Sequence, residues 1–264
     1  MKIPAQAEIP DFARQRSYPT VERHGQVYFF LGSKALFPLP FFEGTQPEAF
    51  RRGRPFEFTA DLSWHMVVAN GFDEQHFQSV HDRRLLEPPD VTCLTPWSRR
   101  VRYRAEVVGD SIYDAVLRHT VGQTVEISIT SCGGPLVLVT GKFKRTCSYL
   151  MICIQPLELR KVRVVVTVFA PRSRHRALRG LGELPGLEAR RVFTRGFMQR
   201  DIARLRGIRY NHNTLVESDL QLRGFFGWLT TLPDESHEKA AAPRHAASLA
   251  PDLRCSRPGE SIRL

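Results

Sequence analysis

Between residues 101 and 169 the chain turns back on itself repeatedly, and this constrains its fold more than any other feature. Residues 101–107 alternate, with Val101, Tyr103, Ala105 and Val107 set against Arg102, Arg104 and Glu106, as a half-buried strand requires. Residues 124–130 alternate in the same way, and Gly133 with Gly134 supplies a turn before the apolar run 136–139. Runs 149–154 and 162–169 are apolar almost throughout, which predicts central strands covered on both faces. Five successive strands with short connections predict an antiparallel sheet, because parallel neighbours need long crossovers. After an Arg/Gly/Pro-rich stretch at 171–186, residues 187–208 read as one long helix, apolar at Val192, Phe193, Phe197, Ile202 and Leu205. A sheet wrapped around a long helix is an α+β helix-grip (START/Bet v1-like) architecture. Such a fold encloses a pocket suited to an apolar ligand.

The segment leading into the sheet is more varied. Residues 26–31 form a short apolar run after His24 and Gly25, best read as a strand. Pro38, Pro40, Gly44 and Pro47 mark a linker. Residues 59–81 have helical spacing, with Asp61 or Ser63 able to cap the start. Residues 85–96, with Pro88 and Pro89, predict a loop. From 233 onward periodicity is lost, which predicts a disordered tail. No internal repeat is present.

At 264 residues the chain can form one large domain or two small ones, with ample length for a core. No run reaches the ~18 apolar residues that mark a membrane span, and Lys2 is followed by no apolar stretch that would make a signal peptide. The five scattered cysteines lack metal-ligand spacing, suit a reducing cytoplasm and are expected to behave as small buried hydrophobes. The formal charge is +11, and fourteen Lys/Arg lie between Arg160 and Arg209 against Glu183, Glu188 and Asp201. Such a stripe could attract nucleic acid. No helix-turn-helix, zinc finger or aromatic RNP pattern accompanies it, however, and arginine outnumbers lysine 32 to 6, as a coding bias would give. A docking face for an acidic electron-transfer protein is the more natural reading.

Chemistry concentrates at Asp73, His76 and His81, a D-x2-H-x4-H run. Two imidazoles and one carboxylate form the ligand set that leaves positions open on non-haem Fe(II) for dioxygen chemistry. On a helix, Asp73 and His76 share a face, whereas His76 and His81, five apart, diverge by roughly 140°. The spacing predicts a local widening of the helix, or its end between the two histidines, if both are to reach one metal. Plainer alternatives stand beside this reading. Asp73 could cap the turn before His76, Asn70 could be a turn residue beside Gly71, and the histidine pair could arise by chance. His65, His119, His175 and His212 lack carboxylates at useful spacing and read as structural or surface residues.

The whole stretch 58–81 resembles the catalytic domain of Rieske-type non-haem iron oxygenases, the aromatic-ring-hydroxylating family, whose motif there is an Asn followed by Asp, His and His at these spacings. The resemblance runs from about residue 18 to about 232. It implies that His76 and His81 bind mononuclear Fe(II). It makes Asp73 the acid that hydrogen-bonds a ligand histidine and relays electrons between subunits, and it sets Asn70 near the metal. The third ligand in the family is a carboxylate on a helix following the last strands. Residues 197–206 look like that element, so Asp201 is the candidate; in an ordinary helix it would instead face solvent beside Arg204 or Arg206. Residues 217–231 resemble the closing helix of the same domain.

One departure is large. The family carries an N-terminal Rieske domain whose [2Fe–2S] cluster sits on Cys-x-His and Cys-x2-His boxes. None of Cys93, Cys132, Cys147, Cys153 and Cys255 has a histidine two or three residues after it. The opening residues nevertheless look like the last strands of a Rieske domain. The resemblance therefore divides the chain into a Rieske remnant and linker (1–45), a catalytic domain (46–232) and a tail (233–264). It implies hydroxylation or demethylation of a hydrophobic aromatic or alicyclic substrate with O2. Electrons would come from a [2Fe–2S] centre in a missing N-terminal region or a partner chain, fed by a reductase or ferredoxin, in a cytoplasmic homotrimer. The alternative is a helix-grip ligand-binding or regulatory module that has lost catalysis.

Overall fold

The computed structural model describes residues 17–173, 181–209, 211 and 214–233. The chain divides after Pro40, inside the Pro/Gly-rich segment, into two compact units, 1–40 and 41–264. The start of the expected Rieske remnant, His175, His212 and the expected tail from residue 234 lie outside the described residues.

In the first unit β1 (Thr20–Arg23) and β2 (Gln26–Phe29) form an antiparallel hairpin in which Arg23 faces Gln26. The two loop residues, His24 (φ 53°) and Gly25 (φ 64°), are both left-handed. A two-residue hairpin whose strands carry the natural twist demands this, and Gly25 meets it without strain.

The second unit is built on a nine-stranded sheet whose pairings are all antiparallel. Its centre is the meander β7 (Ser98–Val107), β8 (Thr124–Cys132), β9 (Leu136–Phe143), β10 (Cys147–Glu158) and β11 (Lys161–Pro171). These are the five strands expected from the sequence. At one margin β3 (Phe50–Arg52) and β4 (Phe56–Ala60) share the edge of β11; at the other β5 (Arg83–Leu85) and β6 (Asp90–Thr95) share that of β7. The register aligns Val101, Ile129, Val139, Leu150 and Val168 across one face. On the opposite face Phe41, Phe42, Phe50, Tyr149 and Phe169 form an edge-to-face aromatic cluster. This explains why β10 and β11 read as continuously apolar: both faces are covered.

Among the described residues five α-helices accompany the sheet: α1 (Trp64–Ala69), α2 (Glu74–His81), α3 (Ile112–Thr120), α4 (Leu184–Leu205) and α5 (Leu220–Leu229). The long α4 matches the expected 187–208 helix to within a turn, although Val192 is 62% exposed rather than part of its buried stripe. No helix among the described residues is long and apolar enough to cross a membrane.

Two expectations need correction. Residues 59–81 are not one helix. Phe56, Phe58 and Ala60 alternate with polar residues and pair with β11 as β4, and the helical part is interrupted by a 3-10 turn at Asn70–Phe72. A Cβ on Gly71 would stand 3.1 Å from the Ile129 side chain, so the chain passes close over the sheet there before Asp73 starts a new helix. Nor are residues 85–96 a loop. Pro88 and Pro89 precede β6 rather than interrupt it, and the segment after them pairs with β7. None of residues 85–96 lines the central cavity described below.

Candidate metal centre

Three elements converge on one point. The α1 helix ends at Asn70, whose backbone N–H donates to the carbonyls of Met66 and Val68. The 3-10 turn that follows is pinned by the Tyr103 hydroxyl, which donates to the Gly71 carbonyl at 3.1 Å. Phe72 stacks on Phe225 of α5 at 4.4 Å. Asp73 then caps α2, its Oδ1 accepting the backbone N–H of His76 at 2.9 Å. Capping of this type satisfies one of the orphan donors of a helix N-terminus.

Helix α2 carries both histidines without a bulge and ends immediately after His81, where Asp82 is left-handed (φ 52°, ψ 50°). The expectation that the helix must widen or stop between them is thus not met. The imidazole torsions close the gap instead, bringing the two rings into an edge-to-face pair with centroids 4.9 Å apart. Asp201 of α4 supplies the third group. Its Oδ1 lies 3.4 Å from Nε2 of His76 and 3.2 Å from Nε2 of His81. The ligand atoms of the three residues all fall within 4.8 Å of one another.

Asp201 does not behave as an ordinary helix carboxylate. It is buried, while Arg204 donates to the Val80 carbonyl at 3.0 Å and Arg206 lies 3.9 Å from Asp61. Burial pushes the Asp201 carboxyl upward, but the imidazoles of His76 and His81 outweigh it and hold the group below the usual carboxylate range. Asn70 Nδ2 donates to Asp201 Oδ2 at 3.4 Å, which leaves Oδ1 facing the histidines. His76 Nε2 and Asp201 Oδ1 are buried and make no hydrogen bond. Buried polar atoms are ordinarily satisfied, so two orphans aimed at one point are what a cation held by nitrogen and oxygen donors would resolve. The residues therefore fit the ligand set of mononuclear non-haem iron.

Neighbours hold this arrangement. Phe197, one turn before Asp201, stacks on His81 with centroids 4.2 Å apart and planes 17° from parallel. Arg83 donates to the carbonyls of His81 at 2.5 Å and Asp82 at 3.2 Å, satisfying the exposed end of α2. The same guanidinium lies 2.8 Å from Asp114, and both residues are buried. Asp114 exchanges hydrogen bonds with Ser111 at the start of α3. Arg83, Tyr103, Asp114 and the α3 helix were not anticipated from sequence. Ser111 followed three residues later by Asp114 is the helix-start pattern that could have found α3; nothing local reveals that Asp114 meets Arg83.

A cavity of about 1110 Å³ opens from the three residues between α4 and the sheet. Its walls are mostly apolar, including Ile129, Val139, Phe143, Leu150 and Ile152 from the sheet and Met198 from α4. Two other histidines of this unit have separate surroundings: His65 packs edge-on to Phe226, and burial lowers its pKa, while His119 is exposed on α3. Cys132 and Cys147 are free thiols, and Cys132 is buried.

No protein-family model and no curated protein matches the chain. Solved structures do match it. Dicamba monooxygenase bound to dicamba is similar with a TM-score of 0.54 and 16% identity, over 90% of this chain and 75% of that one. The same enzyme with non-heme iron and dicamba gives 0.53 and 15%, over 90% and 74%. NdmA of Pseudomonas putida CBB5 with caffeine gives 0.59 and 16%, over 88% and 66%. The chain thus spans about three quarters of dicamba monooxygenase and just under two thirds of NdmA. These neighbours are Rieske non-haem iron oxygenases, the family that residues 58–81 resemble, and at such identities the likeness is one of fold.

Proposed function

We propose that residues 46–232 form the catalytic domain of a Rieske-type oxygenase of helix-grip fold, with His76, His81 and Asp201 holding Fe(II). The observation that carries this reading is the convergence of two imidazoles and a buried carboxylate, two of their atoms left without hydrogen bonds, at one end of an apolar cavity. When bound, Fe(II) supplies dioxygen activation on the positions its three protein ligands leave open. The rest of the work belongs to the chain's own side chains. Asn70 orients Asp201, Phe197 shields His81, and the cavity walls hold a hydrophobic aromatic or alicyclic substrate for hydroxylation or demethylation. Asp73, besides capping α2, would accept a ligand histidine's ring N–H, fixing its tautomer, and lie on the route of incoming electrons. Those electrons come from a [2Fe–2S] centre on a neighbouring subunit of a homotrimer or another polypeptide, supplied by a reductase or ferredoxin. Residues 1–45 are, in this reading, the closing strands of a Rieske domain and its linker.

Anaerobic reconstitution tests this directly. The expected result is about one Fe(II) per chain, abolished in His76→Ala, with oxygen uptake once reduced ferredoxin and an aromatic substrate are added. The lack of Cys–His boxes favours a second reading, a ligand-binding or regulatory module that retained the pocket and lost catalysis. Wild-type protein that binds no Fe(II) under those conditions would establish that second reading in place of the first.

A further inference from the structure

Arg190 is a cation of the cavity wall that no carboxylate pairs with among the described residues. It stands on α4 with Asp201, 11 positions earlier. At about 100° per residue those positions sum to about 1100°, within about 20° of three full turns. The two side chains therefore rise from one face of the helix, about 16 Å apart along its axis (11 × 1.5 Å), and both line the cavity. Arg190 Nη1 donates to the Gly186 carbonyl at 2.8 Å and Nη2 to the Thr146 hydroxyl. Its Nε is buried and makes no hydrogen bond.

The other charges near that wall are already matched. Glu188 is taken by Arg191 at 2.6 Å, and Arg83, a second guanidinium lining the cavity, by Asp114 at 2.8 Å. Among the described residues no carboxylate pairs with Arg190. Partial burial draws its pKa down from the ordinary arginine value; arginine nonetheless stays charged at neutral pH. The one guanidinium N–H left buried without an acceptor is costly, and an anion offering charge-assisted hydrogen bonds removes that cost. The Ser148 hydroxyl, two residues on from Thr146, faces the same cavity. Between this polar end and Asp201 the wall is apolar apart from Thr194, with Phe197 and Met198 on the helix and Val139, Leu150 and Ile152 on the sheet.

We propose that Arg190 forms an anion subsite, and that the cavity takes an elongated apolar molecule with a carboxylate at one end and its far end at His76, His81 and Asp201. The role of that far end rests on the oxygenase reading, whereas the subsite itself requires no metal. The test uses the full-length chain without added metal, titrated with fluorescent dansyl-aminoundecanoate and, separately, with its methyl ester. The acid is expected to bind at least about tenfold more tightly than the ester, as for a charge-assisted hydrogen bond gained. Arg190→Gln should equalise the two, and Arg190→Lys, which keeps the charge but not the planar fork, should give an intermediate ratio. Equal affinities in the wild type, no binding of the acid, or an unchanged ratio in Arg190→Gln would overturn the proposal. Should Arg190→Gln not fold, the wild-type and Arg190→Lys ratios decide, an unchanged ratio in the lysine variant again overturning it. Absence of Fe(II) binding would end the oxygenase reading yet leave the acid–ester ratio standing, so the two failures are separable.

Discussion

Asp201 Oδ1 stands 3.2 Å from His81 Nε2, so the end of the short helix before the central meander meets the long helix after it. A metal bound there links elements distant in sequence and acts as a ligand of the folded state alone. Fe(II) at a hundredfold excess over its dissociation constant should stabilise the fold by about 2.7 kcal/mol. For a chain of this size that corresponds to a rise in Tm of roughly 5–10 °C. Anaerobic scanning calorimetry should show the rise, its reversal by a chelator, and its absence in Asp201→Ala. A rise that persists in Asp201→Ala would place the bound metal elsewhere.

Among the described residues the Asp73 carboxylate makes one hydrogen bond, the cap to His76, that any small acceptor can make. Asp73→Ser should therefore keep stability to within a few tenths of a kcal/mol, whereas Asp73→Ala should lose about 1 kcal/mol. If the carboxylate also serves a ligand histidine and the electron route, Asp73→Ser retains iron but loses turnover. Iron content and single-turnover rate, measured on the same sample, separate the cap from the second role.

What could be read from the sequence is what local pattern encodes. Val101, Tyr103, Ala105 and Val107 alternate because only one face of β7 meets the core, and that alternation is visible in the letters. His76 and His81 were conspicuous because their spacing is awkward for packing alone. The manner in which they meet was not legible: it depends on side-chain torsions, and α2 runs unbroken to His81. The Arg83–Asp114 pair was invisible because each residue, alone, looks like a surface charge. Asn70 could be a turn residue beside Gly71, and only the position of Ile129 shows that the chain passes close over the sheet there.

Stability should fall in alkali from two buried groups. Burial pushes the Cys132 thiol from 9.0 to about 12. Burial, reinforced by the charges of Asp73 and Glu74, also raises the Tyr103 phenol. Each group holds its proton more tightly folded than unfolded, so its contribution is full below the unfolded pKa and lost as pH climbs toward the folded one. For Cys132 that window runs from about pH 9 to about pH 12. Urea midpoints should decline across it, and less steeply in Cys132→Ala. At pH 8 iodoacetamide should label Cys132 far more slowly in the folded than in the unfolded chain, as peptide mass spectrometry can read.

Arg83 and Asp114 present a pair whose structural and functional effects can be separated. Both are 7% exposed, and they meet at 2.8 Å. Removing one partner leaves a buried charge uncompensated, which typically costs about 3–5 kcal/mol, whereas replacing both with apolar residues is often neutral. Asp114→Ala should therefore unfold at markedly lower urea, and Arg83→Met combined with Asp114→Leu should recover most of the loss. The double variant still lacks the donors that Arg83 extends to the carbonyls of His81 and Asp82. If those donors fix the end of α2 for metal binding, Fe(II) affinity should stay about 10–100-fold weak despite restored stability, the range seen when groups supporting metal ligands are lost. Full affinity in the stable double variant would show that Arg83 serves only the packing of α2 against α3.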